Sequence, residues 1–175
     1  KEEVFTSAQK GTLVHLCMQK LNCKKTYTIT DIKDLISELQ VKKIITEQEA
    51  QAINANKVYQ FTKSKIWQEI SLAKEVYQEK PFYINIHAKE IFKENIDENI
   101  LVQGIIDLYY IDKDDNLVLV DYKTDYVENG KEKDLVNKYK EQLKLYSNAL
   151  EKALHKNVYK KYIYSVYLSK EIEII

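Results

Sequence analysis

Residues 102–123 read VQGIIDLYYIDKDDNLVLVDYK. Two runs of apolar, β-branched and aromatic residues flank the polar segment 112–116, which is typical of two strands joined by a five-residue turn. We expect Ile111 and Leu117 to close this hairpin. A one-residue change of register would turn every following side chain to the other face, so this closing pair decides the prediction.

In that register Asp107 lies across from Asp121, and Lys123 shares their face because side chains alternate along a strand. Two carboxylates ~5 Å apart repel by roughly 3 kcal/mol at an effective dielectric of 20. A divalent cation with oxygen ligands, Mg²⁺ or Mn²⁺, would relieve this repulsion. The alternative is an Asp121–Lys123 ion pair at a strand end with Asp107 solvated. A single D-x-K spacing favours that alternative, and the acid on the preceding strand favours a site.

The remaining sequence predicts helices first and then strands. Helical spacing of apolar residues is found in 7–21, 30–40, 46–53 and 62–76, with Thr30 as an N-cap and Thr46 with Glu49 as a capping box. Strands are expected over 77–92, 102–111, 117–123 and 162–169, and a long amphipathic helix over 132–154. This order predicts an α/β or α+β domain around a mixed sheet, with a helical insertion at 24–75.

Composition limits the classes of protein. The 175 residues are 45% hydrophobic and carry no net charge, which suits one globular domain whose nucleic-acid contacts come from a local surface. The two cysteines, Cys17 and Cys23, fit neither a four-thiolate cluster nor a zinc ribbon, and free thiols are expected. No apolar run approaches the ~18 residues of a membrane span. Because the chain starts at Lys1 without Met, we expect a fragment of a longer protein.

Four short motifs occur in a fixed order: GTLVH at 11–15, GIID at 104–107, DYK at 121–123 and QLKLY at 142–146. Together they resemble the RecB-family nuclease domains of the PD-(D/E)xK superfamily, in particular those of AddA-type subunits of bacterial AddAB helicase–nucleases. The resemblance implies a restriction-endonuclease-like mixed β-sheet flanked by helices. It also implies that residues 1–175 form a single nuclease domain of a longer helicase–nuclease chain.

The resemblance implies specific roles for the motif residues. The metal ligands would be His15, Asp107, Asp121 and the backbone carbonyl of Tyr122, and the catalytic group would be Lys123. From the residues alone, a satisfied core histidine is the favoured interpretation of His15, and the family pattern reverses this preference.

Outside the metal ligands, Gln142 and Tyr146 would line the DNA path, and Glu79 would have a supporting role. Gln142 interrupts an apolar helix stripe and needs a polar partner, whereas Leu135 and Tyr139 on the same stripe are expected to pack.

The implied activity is a divalent-metal-dependent deoxyribonuclease, an exonuclease acting on single-stranded DNA during double-strand-break repair by recombination. Mg²⁺ is the expected cofactor, Mn²⁺ would serve as well, and no iron–sulfur cluster is expected in this chain. The expected partners are DNA, the helicase portion of the same chain and an AddB-type subunit, without a membrane, in the bacterial cytoplasm. Two alternatives stay open: a catalytically inactive DNA-binding or subunit-docking module, and a Cas4-like nuclease, against which the cysteine count argues.

Overall fold

The computed structural model describes residues 5–87 and 98–175. Within them, five strands form one mixed sheet in the order β1-β2-β3-β4-β5. The strands are β1 (Glu75–His87), β2 (Asn99–Ile111), β3 (Leu117–Lys123), β4 (Val158–Ser165) and β5 (Lys170–Ile174). β3 and β4 are parallel, and the other neighbouring strands are antiparallel. The part of the predicted strand at 88–92 lies outside the described residues.

Helices cover both faces of this sheet. Those in the described part of the chain are α1 (Ser7–Gln19), α2 (Ile29–Val41), α3 (Glu47–Ala52), α4 (Ala55–Phe61), α5 (Lys65–Leu72) and α6 (Glu132–Leu154). The first five pack together on one face around a core that includes Leu108, Val120 and Tyr164 of the sheet. α6 lies on the other face, where Leu150 belongs to the same core cluster as Leu119. The predicted mixed sheet flanked by helices is confirmed. No described helix combines the length and apolar composition that a membrane span requires.

The predicted β2–β3 hairpin is confirmed. Ile111 pairs with Leu117, and the pairs continue to Leu108 with Val120. The side chain of Asp112 organises the turn, because its Oδ1 accepts hydrogen bonds from the backbone N–H groups of two later turn residues. The register on which the predicted site depends is therefore set locally, by the hydrogen bonds of the turn.

Two predictions near helix ends have different outcomes. The capping box of Thr46 and Glu49 is confirmed at the start of α3. The prediction of Thr30 as N-cap is wrong, because α2 begins earlier with Thr28 as its cap. Asp31 lies three residues after Thr28 and accepts a hydrogen bond from the Thr28 backbone N–H, which completes a capping box that Thr30 could not form.

Several predicted boundaries also differ from the structure. The helix predicted over 62–76 ends at Leu72, and Glu75 already belongs to β1. The last predicted strand, 162–169, is shifted, because β4 spans Val158–Ser165 and residues 166–169 form the turn into β5. Apolar composition alone could not separate strand from turn in the tyrosine-rich stretch, whose pairing depends on β3.

The alternation of side chains reverses once in the β1–β2 ribbon. Before Glu79, the odd-numbered Tyr77 of β1 lies on the α6 face together with its partner Tyr109. After Glu79, the even-numbered residues Phe82 and Ile84 of β1 lie on that face. Glu79 has a φ of 52°, and neither it nor the facing Asp107 forms a ladder pair, although the pairs on both sides keep one register. Strict alternation fails at this point.

The sheet also divides here. Pairing between β2 and β3 ends at Leu108 and Val120, yet β3 stays paired with β4 as far as Lys123 and Ser165. β2 meanwhile stays paired with β1 to its first residue. The two strands of the hairpin therefore separate just where Asp107 and Asp121 follow, and the opening between them is the candidate site.

Candidate active site

Asp107 lies at the fork between β2 and β3. Its Oδ2 accepts a hydrogen bond of 2.7 Å from the backbone N–H of Tyr122 on the departing strand. Its Oδ1 lies 3.4 Å from Nε2 of His15 on α1. One carboxylate thus connects three elements, because each of its oxygens points to a different one.

α1 carries His15 to the fork. Gly11, one turn earlier, lies so close to the end of β3 that a Cβ atom there would come within 2.4 Å of the Thr124 side chain. The absence of a side chain at residue 11 therefore permits the approach of the helix. The imidazole of His15 packs edge-on against the ring of Tyr122, with 5.2 Å between centroids. Burial lowers the pKa of His15, which favours the neutral imidazole that binds metals.

Three side chains from three elements form a cluster suited to a divalent cation. One ligand atom each from His15, Glu79 and Asp107 can be chosen so that all lie within 4.8 Å of one another. His15 Nε2 and Glu79 Oε1 are 3.3 Å apart and buried, and neither makes a hydrogen bond of acceptable geometry. Buried polar atoms without hydrogen bonds, two of the three ligands being carboxylates, fit Mg²⁺ or Mn²⁺.

The carboxylates of the fork hold protons more tightly than usual. Burial, and then the charge of Asp121, raises the pKa of Asp107 to about 7, although the hydrogen bond from Tyr122 N–H acts in the opposite direction. Burial is also the first cause of the raised pKa values of Asp121 and Glu79. A bound cation would offset this cost, because it stabilises the ionised form of each acid.

Asp121 faces a cation of the protein itself. It is 2% exposed, and its Oδ2 lies 2.6 Å from Nζ of Lys123. The Lys123 ammonium also donates a 3.0 Å hydrogen bond to Oε1 of Gln142 and lies 4.1 Å from the centroid of the Tyr139 ring. An acid, an amide and an aromatic face therefore hold the lysine in one position.

α6 supplies the far wall of the site. Nε2 of Gln142 donates a 2.8 Å hydrogen bond to the Tyr146 hydroxyl, so both ends of the amide have the polar partner that its place in an apolar stripe requires. The prediction that Leu135 packs is confirmed. Tyr139 packs as predicted, but it also contacts Lys123, and its hydroxyl donates to Asp125. The sequence indicates this place for Tyr139, because residues three and seven positions apart, as Tyr139 is from Gln142 and Tyr146, share a helix face.

All predicted site residues lie around the fork. They form two groups, which meet where Asp107 contacts Asp121. The first group is the cluster of His15, Glu79 and Asp107, and the second is the series of contacts that runs through Asp121, Lys123, Gln142 and Tyr146. The tightest cluster contains Glu79, for which the sequence predicts only a supporting role, while Asp121 turns to Lys123. The backbone of Tyr122 reaches the site through its N–H group, and its carbonyl as a ligand stays a prediction.

The two cysteines lie apart from this chemistry. Cys17 is buried and Cys23 partly buried, and both are free thiols, as predicted. Burial raises the pKa of Cys17 to about 12, so this thiol stays protonated and packs in the core.

Comparisons with known proteins identify the family. A sequence profile described as the PD-(D/E)XK nuclease superfamily matches residues 1–173. Proteins named as the A subunits of ATP-dependent helicase/nucleases are similar to the chain: 41% identical over 168 residues in Thermoanaerobacter sp. (strain X514), 38% over 184 in Clostridium perfringens (strain ATCC 13124), and 37% over 166 in Alkaliphilus metalliredigens (strain QYMF). The alignments cover 94%, 99% and 93% of this chain, which spans 14% of the length of each relative.

Proposed function

The chain belongs to the PD-(D/E)XK nuclease superfamily, and from this premise we propose that it is a divalent-metal-dependent nuclease acting on DNA. The observation that carries the proposal is the fork between β2 and β3. It gathers three carboxylates, a neutral imidazole and a lysine from four elements into one partly buried cluster. Ion pairs formed by chance at a strand end would not place several acids close together in a buried site, where their ionisation is unfavourable.

We assign the metal ligands to His15, Asp107, Asp121 and the carbonyl of Tyr122, with Glu79 as a further carboxylate at the same site. A bound Mg²⁺, or Mn²⁺ in its place, would neutralise phosphate charge and lower the pKa of a coordinated water. Asp107 is suited to this site because its two oxygens already point to different neighbours.

Lys123 acts on the phosphate. Its ammonium is held by Asp121 and Gln142 within reach of the acids, so it can neutralise negative charge that develops on the phosphate or orient the attacking water. Gln142 and Tyr146 position this ammonium and line the path of the DNA strand beside it.

The names of the relatives suggest the wider setting. We propose that the domain is the nuclease part of a longer helicase–nuclease chain, with 24–75 as a helical insertion in the domain, and that it works with an AddB-type subunit in the bacterial cytoplasm. The helicase portion would feed single-stranded DNA to the site, which acts as an exonuclease and releases short fragments during double-strand-break repair by recombination.

A cleavage assay on labelled single-stranded DNA tests the proposal. We expect no products in EDTA, products on titration with Mg²⁺ or Mn²⁺, and a loss of at least about a hundredfold in rate for Asp121→Ala and for Lys123→Ala. Tyr159→Ala, an exposed substitution at the start of β4, serves as the control with wild-type rate. DNA binding by the wild type without cleavage under any divalent metal would instead support an inactive binding module.

A further inference from the structure

We propose that Tyr126 and Tyr167 form a stacking platform that binds an unpaired base of single-stranded DNA next to the active site. This inference rests on the proposed nuclease function and adds a binding subsite to it. The pair lies outside the four motifs, and neither tyrosine contributes to the cluster at the fork.

The two tyrosines leave the sheet at the edge where the site lies. Tyr126 comes three residues after Lys123, a distance of at most ~10 Å of extended chain. Tyr167 comes two residues after Ser165, which pairs with Lys123 in the parallel ladder. The backbone N–H of Val166 donates a 2.9 Å hydrogen bond to the Lys123 carbonyl, which extends this pairing up to the residue before Tyr167.

The segment that carries Tyr126 is anchored by both helices that build the site. Thr124 packs against Gly11 of α1, one turn before His15. Asp125 accepts hydrogen bonds from the Tyr139 hydroxyl and the Lys138 ammonium of α6. Tyr126 therefore projects from a held backbone, so stacking costs little ordering entropy.

Packing in the core does not explain Tyr126 and Tyr167, because both side chains are exposed. Tyr126 is 73% exposed and Tyr167 44% exposed, whereas Tyr110 and Tyr164 in the sheet are fully buried. The rings of Tyr126 and Tyr167 contact each other edge to face, with centroids 4.8 Å apart at 67°. Each ring orients the other while leaving aromatic surface in solvent, which is the arrangement that a planar ligand requires.

The charges around the pair favour a phosphate backbone. Lys57 of α4 lies 5.5 Å from the centroid of the Tyr167 ring and donates to the Tyr167 carbonyl, which places a cation beside the exposed rings. The acids that flank Tyr126 are already neutralised by lysines. These ion pairs are Asp125 with Lys138 and Glu128 with Lys131. Single-stranded DNA fits this surface, because its unpaired bases can stack on the rings and its phosphates can bind the Lys57 ammonium.

The chain supplies a matched control. Tyr159 is 63% exposed and has the Lys160 ammonium 5.7 Å from its ring centroid, so it also combines an exposed ring with a lysine, although Lys160 lies 3.6 Å from Glu173. It lies at the start of β4, next to Val158, which pairs with Leu117. Since strands rise about 3.3 Å per residue, it is roughly 20 Å from the strand ends that bear the proposed platform.

Binding measurements in EDTA separate the platform from catalysis, because the metal-free chain does not cut. We would measure the affinity for labelled oligothymidylate and for a strand of the same length with abasic sites. Tyr126→Ala should weaken oligothymidylate binding about fivefold to a hundredfold, and Tyr167→Ala should weaken it by a similar factor, because base–aromatic stacking contributes of this order. Tyr126→Phe should keep the wild-type affinity, as should Tyr159→Ala.

The abasic strand identifies the cause. If stacking is the interaction, Tyr126→Ala has no effect on the abasic strand, which keeps its phosphates and lacks the bases. Equal losses on both strands, or no loss on either, would overturn the platform. Cleavage by the wild type together with unchanged binding by Tyr126→Ala would leave the nuclease proposal standing and remove the platform. If Tyr126→Ala loses binding but the wild type cleaves DNA in no metal, the platform stands and the nuclease proposal falls.

Discussion

Glu79 and Asp107 face each other on neighbouring strands, and the left-handed backbone of Glu79 turns both out of the regular pleat. The φ of Glu79 is 52°, the residues before and after it keep their ladder partners, and the Glu79 carboxylate lies 3.3 Å from His15. A non-glycine residue in this conformation costs about 1–2 kcal/mol. The chain therefore gives up stability to aim a carboxylate at the imidazole and at Asp107.

This strain predicts that two substitutions of Glu79 differ in stability although both weaken metal binding. Glu79→Gly should be more stable than Glu79→Gln by about 1 kcal/mol, because glycine adopts the left-handed region freely while both variants lose the charge. Urea unfolding in EDTA measures this difference. Both variants should need more Mn²⁺ for half-maximal cleavage than the wild type. Equal stabilities of the two variants would mean that the backbone of Glu79 stores no strain.

Metal binding should stabilise the folded chain even without DNA. At a concentration about a hundredfold above its dissociation constant, Mn²⁺ should raise the free energy of unfolding by roughly 2.7 kcal/mol. Asp107→Asn and His15→Ala should reduce this increment, whereas Lys123→Met should keep it, since the lysine is not a ligand. Thermal unfolding with and without Mn²⁺ checks the prediction. An increment that survives in Asp107→Asn would place the cation elsewhere.

The raised pKa of Asp107 predicts how stability depends on pH in EDTA. Between its ordinary value of 3.8 and about 7, the folded chain holds a proton that the unfolded chain has released, so stability falls as pH rises through this window. Each tenfold difference in proton affinity corresponds to about 1.4 kcal/mol. His15 acts in the opposite sense, because its lowered pKa costs stability below its ordinary value of 6.5.

Asp107→Asn isolates the carboxyl group from the imidazole. The amide resembles the protonated acid and cannot ionise, so this variant should lose less stability than the wild type between about pH 5 and 7.5. Chemical unfolding at several pH values makes the comparison. A variant with an unchanged pH profile would show that Asp107 does not titrate in this window.

The lysine depends on α6 for its position. Gln142→Leu removes the 3.0 Å hydrogen bond to Lys123, and we expect a loss of about ten- to a hundredfold in cleavage rate, because displacing a catalytic group by about 1 Å has effects of this size. Tyr146→Phe should have a smaller effect, since it leaves the bond between Gln142 and Lys123 intact. Metal-dependent stabilisation should be unchanged in both variants, which separates a role at the lysine from a role at the cation.

Close packing of α1 against the end of β3 gives a structural prediction. Gly11→Ala should lower stability by about 1–3 kcal/mol and weaken metal binding, because the added methyl group would meet Thr124 at 2.4 Å and push the helix that carries His15 away. Gly11→Ala combined with Thr124→Gly should recover the metal affinity, since the second change removes the clashing atoms. A double variant with the same metal affinity as Gly11→Ala would contradict this account.

Local interactions explain what could be read from the amino-acid order. The side chain of Asp112 organises the five-residue turn, and with Ile111 and Leu117 paired the hairpin brings Asp107 to Asp121. The helix over 132–154 follows from its apolar spacing, and the Thr46–Glu49 capping box from hydrogen bonds within one turn. All of these depend on residues close together in the chain.

Contacts between distant segments account for the features that could not be read in this way. The reversal of alternation at Glu79, the separation of β2 from β3 and the place of Tyr139 under Lys123 each require elements that lie far apart in the chain. The N-cap at Thr28 could not be predicted because Thr30 nearby is a similar candidate. The bounds of β4 could not be predicted because they depend on pairing with β3, which is distant in the sequence. The hydrogen-bonded register of the hairpin thus brings Asp107 and Asp121 to the same fork, and the packing of α1, β1 and α6 around the fork decides which groups each carboxylate meets.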